Sequence, residues 1–398
     1  MEKVAAFWRD LTLKPQGFTI VVAAFLPIIA IVAMGPAVPT MIEHFANDPD
    51  ARGKVPAMIG APGLAMAILA PFAGMMVDRF GRRPILLVST LFYAIFGAAP
   101  LLLDSLDQIY ASRLLLGVAE AGILTVVNTL IGDYWEDRAR KNWLFLQGLL
   151  GPFIAAIFSL IVGYASKAQW NGVFYVYLVA LPIFVAMLLF LFEPKREVAP
   201  LAQVAAPPAT AFPWASALQV AAVTLFASML YYVFIINGAL VFKEVGVTEP
   251  VRYAALIFVP SLFILAGAAI FRLLAMRANL LQLGVFMLLL GAGLTGMGLA
   301  TTVPVMIACL IVQQTAAGMT VPTLIGWTQG KFGFAHRGRA MGIWTGAFFL
   351  GQSQSPRLVH ALDASQGSMQ NAFLTIGLVG LAGATVALAL LASGRKSA

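Results

Sequence analysis

Charge is the scarcest feature of this sequence. Of 398 residues, 25 are Lys or Arg and 17 are Asp or Glu, 11% in all. A soluble domain carries about 25% charged residues. A chain this poor in charge and 61% hydrophobic cannot coat itself for water, which excludes an ordinary soluble fold. Cysteine is nearly absent: Cys309 stands alone in an apolar run, so no disulfide can form within the chain. The three histidines, His44, His336 and His360, fall near expected helix ends. No spacing of His, Cys, Asp and Glu suits a metal and no nucleophile motif is present, so no metal, no cofactor and no catalytic residue is expected. The net charge of +8 comes from short, separate basic clusters. They form no stripe, and nucleic acid is not an expected partner. The first sixteen residues are mixed and charged, and a long apolar run follows. The first span is therefore expected to act as an uncleaved insertion signal.

What the sequence has in abundance is apolar runs. A helix needs about 20 apolar residues to cross a bilayer, and twelve such runs can be counted, from 18–41 and 55–77 through 108–131 and 214–242 to 340–359 and 372–391. Basic residues give the orientation. The termini and the even-numbered loops hold 18 Lys and Arg, the odd-numbered loops hold 5 (Arg52, Lys54, Lys167, Lys243 and Arg252), and Arg113 and Arg357 lie within spans. This bias predicts both termini on the cytoplasmic side. Between the sixth and seventh runs lies Glu193-Pro-Lys-Arg-Glu, then an Ala/Pro stretch ending at Pro213. Its prolines favour an extended linker. The expectation is an all-α membrane protein of twelve transmembrane helices in two pseudo-symmetric six-helix bundles, residues 1–195 and 213–398, with a cytoplasmic linker over 196–212. Such repeats are common in transporters.

One loop holds more than a hairpin needs. Gly74-x-x-x-Asp78-Arg79-x-Gly81-Arg82-Arg83 places an acid and three arginines within six residues, followed by Pro84. Gly81 permits a tight turn and Pro84 can open the next helix. Asp78 could meet the positive N-terminal end of another helix. A decayed copy follows the eighth span: Gly267 and Arg272 match Gly74 and Arg79, but Phe271 and Leu274 replace the acid and the second glycine.

The fourth span carries Arg113 and Glu120, seven residues apart. Charged groups inside a membrane face protein or water and are functional by default. A heptad drifts by only about 20°, so both lie on nearly one helix face, about 10 Å apart along the axis. Burial favours the neutral carboxylic acid, whereas a nearby guanidinium favours the carboxylate. A group balanced between the two can load and release a proton. The simpler reading is a buried pair that holds helices together.

The loop from Gly74 to Arg83 resembles the motif between the second and third helices of the major facilitator superfamily, and the expected topology matches along the whole chain. That resemblance implies alternating access around a midplane site. It implies that Gly74, Asp78, Arg79, Gly81, Arg82 and Arg83 form a cytoplasmic latch, with Asp78 meeting the end of the eleventh helix. Arg113-x-x-x-Gly117 resembles the fourth-helix motif of the drug:proton antiporter branch, where the arginine is tied to proton coupling. Gly148-Leu-Leu-Gly151-Pro152-Phe-Ile-Ala155-Ala156 is similar to that branch's fifth-helix motif, with two alanines in place of the usual glycines. The fold also implies that the first, fourth, seventh and tenth helices line the cavity. The cavity candidates are Asn128, Tyr231, Tyr232, Asn237, Gln313, Gln314 and Arg357, although the long stem of Arg357 would also let it snorkel outward.

The expected function is a proton-coupled carrier in a bacterial-type cytoplasmic (inner) membrane that exports small amphipathic molecules by antiport. Glu120 would carry the proton and Arg113 would tune it. The alternative is a proton symporter importing an organic anion. The expected partners are a small-molecule solute, protons and the bilayer, with the chain acting as a monomer. A channel or membrane enzyme finds no support, since neither a ring of charges nor a catalytic cluster is present.

Overall fold

The computed structural model describes residues 15–32, 34–135, 137–194, 211–274, 277–333 and 336–394; within these, the side chains at 70, 71, 73, 74, 78, 128, 132, 137–142, 144, 145, 148 and 394 are not described. Most of the expected linker, and the side chains of Gly74, Asp78 and Asn128, thus lie outside the described residues.

Every regular element among the described residues is helical. Prolines divide the first apolar run into α1 (Pro15–Ala23), α2 (Leu26–Val32), a 3-10 turn (Gly35–Ala37) and α3 (Val38–His44). Pro27, Pro36 and Pro39 each sit in the first turn of a piece, where the absent N–H costs nothing. The breaks leave backbone polar groups that lipid cannot satisfy. The buried Tyr177 donates to the Ala30 carbonyl in the last turn of α2 (3.0 Å), and the buried Tyr93 adds a bond to the Leu26 carbonyl in its first turn (2.6 Å).

The chain continues as α4 (Ala51–Phe80), α5 (Arg82–Ala98), α6 (Leu106–Tyr134), α7 (Asp137–Ala168) and α8 (Ala180–Phe190), the last preceded by a 3-10 stretch over Gly172–Val179. After the linker come α9 (Trp214–Glu244), α10 (Pro250–Ser261), α11 (Ile264–Leu274), α12 (Asn279–Leu299), α13 (Val303–Lys331), α14 (Arg337–Gln366) and α15 (Met369–Gly394). Pro260 ends α10 and divides the eighth expected span, whereas Pro322 lies inside an α13 that continues to Lys331.

Ten helical stretches among the described residues are long and apolar enough to cross a membrane. This makes the protein an all-α, multi-spanning membrane protein. The second and eleventh expected spans, α4 and α14, are not among the ten, although each has 30 residues. Gln352, Ser353, Gln354, Ser355 and Arg357 interrupt the apolar character of α14, and several α4 side chains are not described. These two helices pack on each other. Gly60 and Gly63 allow the close approach: a Cβ on Gly60 would lie 2.8 Å from the Gln352 carbonyl oxygen, and one on Gly63 would lie 2.6 Å from that of Phe349. On another side of α4, a Cβ on Gly117 of α6 would lie 2.6 Å from the Pro62 Cα. Helices before the linker also meet those after it where α7 packs on α10 and the first span on α9.

Candidate transport site

The turn after α4 follows the sequence reading and adds a partner. Gly81 has φ +89° and ψ 162°, a region essentially reserved for glycine, where a side chain costs about 1–3 kcal/mol. The turn points two N–H groups from the first turn of α5 at Glu193. Arg82 N–H donates to its Oε1 and Arg83 N–H to its Oε2, both at 2.7 Å. A carboxylate at a helix N-terminus is favoured by charge-assisted bonds and by the helix dipole. The Arg82 guanidinium donates to Asp133 at the end of α6 (3.1 Å), and that of Arg83 to the Leu188 carbonyl (3.1 Å). Arg79 is exposed and lies 5.4 Å from the Phe80 ring. The described arginine contacts of this turn therefore stay within residues 80–193. Sequence reasoning missed Glu193, which is 110 residues or more from its partners.

Arg113 and Glu120 are both buried, at 1% and 3% exposed. Arg113 Nη2 donates to the carbonyls of Phe96 and Gly97 where α5 ends, the latter at 2.8 Å. A cation there complements the negative end of the helix. The guanidinium also lies over the Phe174 and Tyr177 rings, 5.2 and 4.8 Å from their centroids. No ion pair joins Arg113 to Glu120 among the described residues. Arg113 Nη1 and Glu120 Oε1 are both buried without a hydrogen-bond partner. Glu120 is within electrostatic range of Arg113, Tyr93 and Tyr177, and of Tyr232 on α9.

The expected cavity residues separate into groups. Tyr231 and Tyr232 form an edge-to-face pair with ring centroids 4.9 Å apart, and both contact Phe348 of α14. Asn237 is buried and donates to the Val233 carbonyl of its own helix (3.2 Å). Gln313 is fully buried against Gly293 of α12, with neither amide atom partnered. Gln314 is buried nearby on α13. Arg357 needs a correction as a cavity residue: it is exposed and donates to the Tyr110 hydroxyl (3.0 Å). Its flexible stem carries the charge out of the apolar layer.

That contact belongs to a set joining the two parts of the chain at the end opposite the Arg82 turn. Arg52 at the start of α4 grips Asp363 near the end of α14 through two bonds, 2.6 and 3.0 Å. Lys243 of α9 pairs with Glu43 of α3 at 3.0 Å. A cavity of about 260 Å³ lies among Pro39, Ile42, Arg52, Leu240, Lys243 and Glu244. The helices are thus held together at the Arg52 face.

Comparison with known proteins agrees with this architecture. The family model described as Major Facilitator Superfamily matches residues 20–292. An efflux pump of Dothistroma septosporum is 31% identical over 114 residues, 28% of this chain and 20% of that pump. The chain thus matches only about a fifth of that relative's length. Among solved structures, a POT family transporter in complex with a thioalcohol-conjugated peptide has a TM-score of 0.74 at 13% identity, covering 95% of both chains. The human organic anion transporter MFSD10 has a TM-score of 0.67 at 16% identity, covering 93% of this chain and 98% of its own. At such identities the two structures establish the fold alone. With more than half of its length matched by the family model, the chain belongs to the Major Facilitator Superfamily.

Proposed function

We propose that this chain is a proton-coupled secondary transporter working by alternating access, and that it carries a small organic anion together with a proton. As a superfamily member it is a transporter and not an enzyme. The observation that carries the reading is the pair of orphaned atoms, Glu120 Oε1 and Arg113 Nη1, in one buried region. An unbalanced charge there is costly, on the order of several kcal/mol per ion. With Glu120 ionised, the two groups balance. With Glu120 protonated, Arg113 is left uncompensated and its free Nη1 favours an anion. The empty site and the site loaded with both proton and anion are neutral; either singly loaded site is not. Conformational exchange is easiest for neutral contents, and this makes symport the expected coupling.

The twelve-span, two-bundle topology is part of this reading. The alternation of basic residues supports it, and with it a cytoplasmic side for the Arg82 face and both termini, in our reading across a bacterial-type inner membrane. The bonds that close the Arg52 face then suit a carrier open inward. In the outward-open state the Arg52 bonds would break, and the turn bearing Asp78 and Arg79 would close on the start of α14 as a latch.

Export by antiport is the second reading, favoured by the likeness of Arg113 to Gly117 and of Gly148 to Ala156 to the antiporter motifs. Gly117 has a packing reason of its own, however, in its contact with Pro62. A flux experiment separates the two. In liposomes holding the purified chain, a gradient of a permanently ionised organic sulfonate, which cannot itself ferry protons through lipid, is expected to pull protons in the same direction. Glu120→Gln should abolish that proton movement while leaving exchange of labelled sulfonate. Protons moving oppositely would establish antiport, and Glu120→Gln coupling at the original level would remove Glu120 from the mechanism.

A further inference from the structure

Resting on that reading, the structure also narrows the class of anion. Where α9 meets α14 stands a continuous aromatic wall that helix packing alone does not explain. Trp344 stacks on Phe348, with centroids 5.2 Å apart and planes within 20°. Phe348 meets Tyr232 at 5.6 Å and Tyr231 at 5.9 Å. Tyr232 in turn lies within electrostatic range of Glu120. The wall is held rigidly. Ser228 of α9 donates to the Phe348 carbonyl, and Ser355 of α14 donates to that of Met229 at 2.8 Å. These bonds clamp the two helices at the height of the rings.

The wall's polar atoms are unpaired. Trp344 is 7% exposed and its indole N–H has no partner. Neither the Tyr231 nor the Tyr232 hydroxyl hydrogen-bonds to another described residue. A buried indole N–H ordinarily finds a partner. A wall built only to pack would use phenylalanine at these positions. These rings instead offer π-faces together with an N–H and two hydroxyl donors, and the wall contains no acidic side chain. Such a surface fits a flat ring carrying a hydrogen-bond acceptor.

We propose that the transported anion is an aromatic carboxylate or sulfonate: its ring lies on Trp344, Phe348 and Tyr232, one acceptor takes the Trp344 N–H, and the anionic group points toward Arg113 and Glu120. Offset stacking against such a wall favours an aromatic ring over a saturated one by about threefold to tenfold in affinity.

The test is equilibrium binding to the full chain in lipid nanodiscs, comparing benzoate with cyclohexanecarboxylate, which has the same charge and a similar outline but no π-system. Benzoate is expected to bind at least about threefold tighter. Trp344→Phe keeps the stack on Phe348 and removes the donor, and it should weaken benzoate severalfold. Equal affinity for the two acids, or binding of neither, overturns the proposal; unchanged benzoate affinity in Trp344→Phe overturns the role of the indole. Should that variant fail to fold, the comparison of acids on the unaltered protein decides alone. No proton gradient is involved, so a lost preference leaves proton symport standing, and failed symport leaves the preference standing.

Discussion

The Arg52–Asp363 contact offers an asymmetric test of the closed face. Two bonds of 2.6 and 3.0 Å join α4 to α14 across 311 residues of sequence. The two sides of the pair are unequal: the Arg52 side chain is 54% exposed and that of Asp363 only 4%. Charge-assisted hydrogen bonds contribute roughly 1.5–3 kcal/mol, and screening at a half-exposed guanidinium reduces this to about 1 kcal/mol. Asp363→Asn leaves Arg52 free to turn into water. It should therefore cost the closed face about 1 kcal/mol, about a fivefold shift toward opening. Arg52→Ala is worse, because it strands a buried carboxylate. Breaking a buried pair from one side costs roughly 3–5 kcal/mol, and water entering where Arg52 stood lowers this to about 2–3 kcal/mol, or about 30- to 150-fold. Opening hydrates Asp363, so the whole cost drives the population in one direction. Spin labels at Asn47 and Ala364, on a chain with Cys309→Ser, would report the distance across this face. Arg52→Ala should populate the longer distance much more than Asp363→Asn. Equal shifts, or none, would refute the argument from unequal burial.

Two further outcomes follow from the loops. Gly81→Ala should lower stability by about 1–3 kcal/mol, since φ is +89° and the new Cβ would sit 2.9 Å from Glu193 Oε1; an unchanged thermal midpoint would contradict this. In the loop before α4, Asp48 accepts from Lys54 and from the Asp50 N–H, both at 2.9 Å. These bonds, Lys54 first, hold its carboxyl below the usual carboxylate range. A depressed acid contributes stability above its unfolded pKa and loses it as pH falls through the folded one. Asp48→Asn should thus flatten the acid limb of a melting-temperature profile below about pH 4. Both groups remain partly open to water, so the effect is small and fades with salt.

Local features were legible in the sequence because their physics is local. The apolar run expected over 214–242 is α9, Trp214–Glu244. The prolines of the first span cut it where a missing N–H requires, and Gly81 takes the positive φ its turn demands. Helix ends were less legible: α14 runs from Arg337 to Gln366, beyond the 340–359 expected from apolarity, and its C-terminal extension is held where Arg52 grips Asp363 and Gln366 bonds to Thr375 of α15. Arg113 and Glu120 could be found as rare charges, but their partners could not. The carbonyls that hold Arg113 exist as acceptors because α5 ends beside it.

The sequence by itself determined that this chain lives in lipid, that it is helical and where its backbone bends. Apolar runs, proline and glycine act over a few residues and need no partner. Only the tertiary structure decided which charges meet. It brought Glu193 to the Arg82 turn, Asp363 to Arg52, and Trp344 with Phe348 to the two tyrosines, while leaving Arg113 and Glu120 apart. In an apolar medium the cost of an unpaired polar group depends on what the rest of the chain places beside it, and no stretch of sequence carries that information alone.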